Sequence, residues 1–383
     1  MLQTRADNPF KSSLLAGFEC STHRIRSGKR LDMIAATWHD EFADQDYRRL
    51  TEIGILTARD GLRWHLIELE PYRYDFDSAM SQVRAARRND IQIIWDLFHY
   101  GYPDDLDILS HEFVERFAAF AGAAARFLRD ELGSPIHFCP VNEISFFSWA
   151  AGRVGIFYPY RKRAARAIKH QLVRASIAAI DAILDVDPHA RWITTEPAIH
   201  VVPSDDTALA RSAAARYRQA QFEGLDMLSG RLSPELGGNP RYLDIIGLNY
   251  YVHNQWKHST RRPIGQTHPQ YRPPRLIFEE FFKRYDRPIV LAETGIEDEK
   301  RADWFRYVSD EAQATRSLGV PLHGLCLYPI VNHPGWEDSR HCHNGLWDYA
   351  DDKGNREAHE PLLAAVRSHR MDQAVPVMET SPV

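Results

Sequence analysis

Two glutamates follow or end short apolar segments, and their side chains are of the type needed for acid–base or nucleophilic chemistry. Glu143 follows the apolar stretch 135–141, and Glu293 ends the apolar stretch 288–293. A carboxylate at the end of a buried strand is costly unless it is paired or used in a reaction. Each glutamate could instead form a structural ion pair with an arginine. The choice depends on whether the fold brings the two carboxyls together.

The segments that must position these glutamates alternate between short apolar runs and longer amphipathic ones. The predicted strands are 14–20, 56–65, 91–99, 135–141, 191–196, 243–251, 288–293 and 321–328. The predicted helices are 41–53, 75–88, 110–132, 164–184, 208–228, 276–285, 302–317 and 361–369. Such alternation predicts an α/β fold, a (β/α)8 TIM barrel. A doubly wound sheet is the alternative, but no glycine-rich phosphate-binding signature follows any predicted strand.

A barrel places functional side chains at the carboxyl ends of its strands. The end residues form a polar set: Glu19, Arg63, His99, Asn142, Glu143, Glu196, Tyr251, Glu293 and Tyr328. Because strands four and seven lie on opposite sides of a closed barrel, Glu143 and Glu293 are expected to face each other across its mouth. Two such carboxyls are the minimum for glycoside hydrolysis, in which one protonates the leaving oxygen while the other attacks the anomeric carbon or activates water. Their mutual repulsion helps to keep one of them protonated.

Two motifs surround these glutamates, Val-Asn-Glu at 141–143 and Ile-Val-Leu-Ala-Glu-Thr-Gly at 289–295. The first resembles the Asn-Glu acid/base motif of clan A glycoside hydrolases, and the second is similar to the nucleophile strand Ile-Thr-Glu-Asn-Gly of glycoside hydrolase family 1. Further segments resemble that family's motifs in the same order: 99–103, 170–171, 247–251 and 345–346. The resemblance covers roughly residues 14–368.

This resemblance implies a role for each matching residue. Glu143 would be the general acid/base and Glu293 the nucleophile, with net retention of anomeric configuration. Asn142 would hydrogen-bond the sugar 2-hydroxyl, an interaction that strengthens in the transition state. Tyr251 would donate to Glu293, and Arg63 would lie beside it, so that both keep this carboxylate ionised. The other predicted substrate-binding residues are Glu19, His99, Tyr328 and Trp336.

The sequence departs from the family pattern in three places. Ile144 stands where the family usually has Pro, and Thr294 replaces the usual Asn. After strand eight, Gly335 occupies the position of the family's Glu that holds the sugar 4- and 6-hydroxyls. Glu337 or Asp338 is the candidate replacement for that glutamate. The resemblance therefore bears more directly on catalysis than on the identity of the sugar.

The resulting prediction is a retaining β-glycosidase that acts on a carbohydrate or glycoside substrate without a cofactor. A transglycosidase would use the same two glutamates with a different acceptor. A catalytically silent sugar-binding barrel is the rival from another class, and the presence of both glutamates with Arg63, Asn142 and Tyr251 argues against it. No metal is predicted, because the adjacent candidates in His-Cys-His at 341–343 lack the spacing of a structural zinc site.

Composition agrees with an ordinary globular protein. The 383 residues are 44% hydrophobic and 26% charged, and no linker interrupts them, which favours one catalytic barrel over 1–370 with a tail at 371–383. A net charge of −5 gives no case for nucleic acid or an anionic membrane as partner. The absence of a signal-peptide core or a membrane-length apolar run predicts a cytoplasmic protein, either a monomer or a small homo-oligomer. The spacing of the four cysteines predicts reduced thiols.

Overall fold

The computed structural model describes residues 8–338 and 340–369, and the predicted tail 371–383 lies outside them. Eight parallel strands close into a barrel. In chain order they are β1 to β8: Leu14–Gly17, Thr57–Gly61, Gln92–Asp96, His137–Cys139, Arg191–Pro197, Ile245–Asn249, Ile289–Thr294 and Leu322–Leu327. The first strand pairs with both the second and the eighth, which closes the sheet. The predicted (β/α)8 barrel is confirmed.

One long helix follows each strand and packs on the outside of the barrel. These helices, α1 to α8, are His39–Glu52, Met80–Asn89, His111–Leu132, Ala165–Val186, Ala208–Gln219, Pro274–Tyr285, Arg301–Ser317 and Glu360–Ser368. Local sequence sets some of their ends. The Ser110 side chain accepts a hydrogen bond from the Phe113 backbone N–H at 3.2 Å, which satisfies a free donor at the start of α3.

Short helices and two small sheets occur in the loops between the barrel strands and the long helices. Two small sheets pair Glu68–Glu70 with Arg73–Tyr74 and His200–Val202 with Gln255–Lys257. The short helices are Met33–Ala36, Trp64–Ile67, Ile144–Trp149, Ala150–Val154 and Glu223–Leu228. Single turns of 3₁₀-helix occur at Asp77–Ala79, Ala220–Phe222, Pro234–Leu236, Pro240–Tyr242 and Asp298–Lys300. Several of these pieces lie in the loops after β4, β5 and β6, on the face where the strands end.

The barrel interior has an apolar layer toward the amino ends of the strands (the lower layer) and a polar layer toward their carboxyl ends (the upper layer). Buried side chains from successive strands form the lower one: Leu15, Ile94, Cys139, Ile193, Ile245, Val290 and Cys326. The upper layer is equally buried but polar: Arg59, Asp96, Asn142, Thr195, Asn249 and Glu293. Because buried polar groups need partners, this upper layer must be internally hydrogen-bonded. It is the region from which the candidate site is built.

The strand order refines the predicted placement of the two glutamates. Only β5 and β6 separate β4 from β7 on one side, so the strands are three positions apart rather than diametrically opposed. The boundaries also shift, since β2 ends at Gly61 and not at the predicted 63–65. All four cysteines are free and buried. None of the described helices has the length and apolarity required to cross a bilayer.

Candidate active site

Glu143 lies directly after β4 in a backbone conformation that L-residues rarely adopt. Its φ is 46°, and its backbone N–H donates to the Thr195 carbonyl at 3.2 Å, which ties the turn to β5. Such conformations cost free energy and cluster at functional sites. The turn directs the carboxyl inward, where Oε1 accepts from Asn249 Nδ2 at 2.9 Å and Oε2 accepts from the Tyr100 hydroxyl at 2.8 Å. Both partners of Glu143 are therefore neutral.

Glu293 lies within β7 and has a cation as its closest partner. Arg59 Nη1 contacts Oε1 at 2.6 Å, and the Tyr251 hydroxyl donates to Oε2 at 2.9 Å. The predicted contact between Tyr251 and Glu293 is thus present. A charge-assisted bond to a guanidinium favours the ionised carboxylate and fixes its orientation.

These different environments give the two carboxyls different affinities for a proton. Burial and the negative charge of Glu293 raise the pKa of Glu143 to about 7. Burial also raises the pKa of Glu293, but the guanidinium of Arg59 opposes that shift. Since one proton is shared between two interacting carboxyls, the cation next to Glu293 places that proton on Glu143. The pair is therefore set as one acid and one carboxylate at neutral pH.

Arg59 connects Glu293 to Asn142, the residue before Glu143, through a buried hydrogen-bond network. Its Nε and Nη2 donate to the two Asp96 carboxylate oxygens at 2.9 and 2.7 Å, and Nη2 also donates to Asn142 Oδ1 at 2.6 Å. The Thr195 hydroxyl donates to the same Asn142 oxygen at 2.8 Å. Because Asn142 precedes Glu143, this network fixes the acid and the carboxylate relative to each other.

The prediction that Arg63 lies beside Glu293 is wrong. Arg63 follows the end of β2 and contacts Asp40 at 2.8 Å and Asp32 at 3.3 Å, while its Nη2 donates to the Ser78 carbonyl. The physical reason is the early end of β2 at Gly61, which carries the chain away from the barrel axis before residue 63.

Asn142 and His99 form the buried layer beneath the glutamates. Asn142 Nδ2 donates to His99 Nε2 at 3.1 Å and to the Tyr100 hydroxyl at 3.0 Å. His99 Nδ1 contacts Asp96 Oδ2 at 2.8 Å, which places the ring proton on Nδ1. Glu19 is buried near this ring, with Oε1 4.0 Å from His99 Nε2.

A deep cavity of about 1380 Å³ opens above this layer. Glu19, Glu143, Tyr251, Glu293, Tyr328 and Trp336 all line it. The Tyr328 ring is stacked near His99 with centroids 6.3 Å apart, and its hydroxyl has no hydrogen-bond partner among the described residues. The half-buried Trp336 packs against Tyr100 and Phe157, and within the same described ranges its indole N–H is also without a partner. An apolar wall with polar groups at its floor is the usual form of a small-ligand site.

The loop after β8 differs from the expectation that an acidic residue replaces the missing glutamate. Glu337 and Asp338 are exposed, and neither lines the cavity, whereas Gly335 does. Other polar groups line the cavity on this side, among them His333 and Asn344, whose Nδ2 donates to His333 Nε2 at 3.0 Å.

Cys20, Asp96 and His99 place potential metal-ligand atoms within 4.8 Å of one another. Both oxygens of this aspartate already accept hydrogen bonds from Arg59, whose positive charge would repel a bound cation. Cys20, Asp96 and His99 therefore fit a buried hydrogen-bonded cluster better than a metal centre.

Glu196 is a further buried carboxyl near the site. It lies in β5, and the Ser145 backbone N–H donates to its two oxygens, each at 3.2 Å. Burial is the main cause that raises the pKa of Glu196 to about 8. The charge of Glu143 adds to this rise, and Lys169 opposes it. Glu196 is thus protonated at neutral pH.

This protonation predicts a pH-dependent effect on stability. In the unfolded chain Glu196 loses its proton at its usual low pKa, whereas the folded chain keeps it up to about pH 8. Wild-type stability therefore declines across that interval, and an E196Q variant lacks this contribution. We expect the melting temperature of E196Q, relative to wild type, to rise between about pH 5 and 8. A difference that stays constant with pH would contradict the assignment.

Sequence reasoning missed three residues that hold the glutamates: Arg59, Tyr100 and Asn249. A partial signal existed for Arg59, since the charged pair Arg59-Asp60 lies in the middle of the predicted strand 56–65. For Tyr100 and Asn249 the matching motifs at 99–103 and 247–251 were recognised, but the motifs do not say which side chain contacts Glu143. That information comes only from the strand register.

Comparisons with known proteins show the fold of this chain. No protein-family model matches the sequence, and no curated protein matches it significantly. Among solved structures, the β-glucosidase from Thermotoga maritima in complex with glucoimidazole has a TM-score of 0.76 at 15% identity, covering 93% of this chain and 97% of that one. The AHE enzyme from Alicyclobacillus herbarius has a TM-score of 0.75 at 17% identity, with 90% of each chain covered. The virulence factor SghA, in complex with its substrate analog salicin, has a TM-score of 0.72 at 17% identity, covering 87% of this chain and 86% of that one.

Proposed function

We propose that this protein is a retaining β-glycosidase in which Glu143 is the acid/base and Glu293 the nucleophile. The observation that carries the proposal is the asymmetry of the pair. Glu293 contacts a guanidinium at 2.6 Å, whereas Glu143 has only neutral hydrogen-bond partners. An ionised carboxylate and a protonated carboxyl on one cavity are the two groups that double displacement requires.

The reaction proceeds in two steps through a glycosyl-enzyme. In the first, a Glu293 oxygen bonds to the anomeric carbon as the glycosidic C–O bond breaks and Glu143 gives its proton to the departing oxygen. In the second, Glu143 takes a proton from water, whose oxygen bonds to the anomeric carbon and releases Glu293. The sugar 2-hydroxyl would bond to Asn142, and Glu19, His99, Tyr328 and Trp336 would bind the rest of the glycone. No cofactor takes part.

The structural neighbours support a glycoside as the substrate class. The Thermotoga maritima protein is a β-glucosidase with structures in complex with glucoimidazole and isofagomine lactam, and SghA has salicin as substrate analog. This chain covers 97% of the first of these, and two of its glutamates line one cavity. We therefore propose a carbohydrate or β-glycoside substrate for it as well.

The decisive experiment is covalent trapping. Incubation with 2-deoxy-2-fluoro-β-glycosyl fluorides of the gluco, galacto, manno and xylo series should leave one glycosyl adduct, detected by intact mass and located on Glu293 by peptide mapping. The 2-fluorine destabilises the oxocarbenium-like transition states of both steps, while the fluoride leaving group keeps the first step fast, so the intermediate accumulates. The reagent that reacts fastest also identifies the glycone.

A matched variant sharpens this result. E293Q should form no adduct with any reagent, although its side chain has the same shape as the native one. An adduct on Glu143, or turnover of natural glycosides with inversion, would overturn the assignment. Product analysis with added alcohols then separates hydrolysis from transfer, and a folded protein without any adduct or turnover would indicate a silent sugar-binding barrel.

A further inference from the structure

Four arginines line the outer part of the cavity and form what we call the basic rim: Arg153, Arg166, Arg216 and Arg261. All four are exposed, and they come from four separate segments of the chain. Arg153 follows the helix after Glu143, Arg166 lies in α4, Arg216 lies in α5, and Arg261 lies in the loop after Gln255–Lys257. The fold thus brings cations that are distant in sequence to one opening.

None of these four guanidinium groups forms an ion pair with a carboxylate in the described part of the chain. The other two cations of the cavity wall are neutralised, since Lys169 pairs with Glu223 at 2.5 Å and Arg340 pairs with Glu297 at 2.6 Å. Arg261 instead lies over the Trp149 ring, 5.3 Å from its centroid. The rim is therefore an uncompensated patch of positive charge on a chain whose net charge is −5.

The rim lies on the side of the cavity from which the leaving group departs. Its residues follow β4, β5 and β6, and the acid Glu143, which protonates the departing oxygen in the proposed reaction, stands directly after β4 and lines the same cavity. Aromatic side chains line the same side, among them Trp149, Tyr217 and Trp256. The cavity floor carries the carboxyls of Glu143 and Glu293 and would repel an anion, so negative charge is accommodated only at the outer end.

We propose that the basic rim binds an anionic aglycone, a leaving group in which an aromatic ring carries an acidic substituent. The inference rests on the proposed glycosidase function and adds the chemical class of the aglycone. Guanidinium groups bind carboxylates in a planar, bidentate way, and the aromatic residues offer a face on which a ring stacks. An uncharged alkyl aglycone would use neither feature.

A matched pair of substrates tests the rim. We would measure kcat/KM for 3-carboxyphenyl and 3-carbamoylphenyl β-glycosides, which differ in charge but little in shape, on the glycone that gives the fastest turnover. Wild type should favour the carboxylate, and an R166Q/R216Q double variant should lose that preference by about three- to fivefold for each arginine removed. The change should occur mainly in KM, because binding and not bond cleavage is altered. The preference should also weaken as salt is added.

The matched control is R126Q. Arg126 is an exposed arginine of α3 that does not line the cavity and forms no ion pair with any described residue. R126Q should leave the ratio of the two kcat/KM values unchanged. A double variant with the same ratio as wild type would overturn the proposal.

A binding measurement keeps this test independent of catalysis. Calorimetry at low salt should detect 3-hydroxybenzoate binding to wild type more tightly than 3-hydroxybenzamide, with the difference lost in R166Q/R216Q. Binding of the acid without hydrolysis of any glycoside would support the rim and contradict the glycosidase. Hydrolysis of both glycosides with equal binding of both phenols would do the reverse.

Discussion

An E143Q variant is expected to lose about 10³-fold in kcat/KM toward glycosides whose aglycone is a poor leaving group, because positioned general acids contribute about 10²–10⁴-fold. Glutamine keeps the shape of the side chain and can still contact Tyr100 and Asn249, which bond to the native Glu143 at 2.8 and 2.9 Å. The variant has no proton to give. Hydrolysis of 2,4-dinitrophenyl glycosides, whose aglycone leaves without protonation, should fall far less in the first step.

The pH profile makes the same assignment by a second route. The acid must be protonated to act, and the pKa of Glu143 is raised to about 7 by burial and by Glu293. Wild-type kcat/KM should therefore decline as the pH rises through about 7, and E143Q should lack that decline. Both profiles are obtained from initial rates over a pH series with a single aryl glycoside.

E196Q is the natural control for this variant, since it also replaces a buried glutamate of the strand ends by its amide. Glu196 is protonated at neutral pH, so the amide resembles the native group there. E196Q should keep the alkaline decline that E143Q loses. Equal losses in both variants would show that the effect is structural and would remove Glu143 from the role of acid.

The fold could be predicted from this sequence because the relevant signal is repeated. Eight apolar runs separated by amphipathic ones leave few architectures, and the helix His111–Leu132 begins one residue after its predicted start because Ser110 caps it. The agreement persists although the three solved structures compared above share only 15–17% identity with this chain. Barrel packing depends on the pattern of apolar positions more than on their identity.

The two glutamates could also be predicted, because each stands at the end of a strand beside a recognisable motif. For Arg59 the charged pair Arg59-Asp60 was a signal of a polar point inside the strand, but its contact with Glu293 could not be predicted, since that assignment needs the exact end of β2. A strand read as continuing to 63–65 makes Arg63 the end residue, whereas the observed end at Gly61 directs Arg59 into the barrel. Element boundaries are the least reliable part of sequence reasoning, and one misplaced end transfers a role to the wrong residue.

An R59M variant should therefore show the largest combined loss of stability and activity. Arg59 is 1% exposed and separates two buried carboxylates, Asp96 and Glu293, which its removal leaves without a cation. We expect R59M to lose about 3–5 kcal/mol of its free energy of unfolding, because removing one partner of a buried ion pair leaves an uncompensated charge. Urea unfolding measures this loss. Loss of the guanidinium should raise the pKa of Glu293 further, so that the acidic limb of the kcat/KM profile moves to higher pH.

R63M is the matched control, because Arg63 is the residue that the sequence alone placed next to the nucleophile. Its aspartate partners, Asp32 and Asp40, keep 20% and 23% of their side chains exposed, so water can solvate them after the change. We expect R63M to lose about 1–3 kcal/mol of stability and to keep the wild-type acidic limb. R59K retains a charge, but its single nitrogen cannot replace the three guanidinium nitrogens that contact Asp96, Glu293 and Asn142, so it should lie between R59M and wild type. A shifted acidic limb in R63M with a normal one in R59K would mean that the cation serving Glu293 is Arg63 after all.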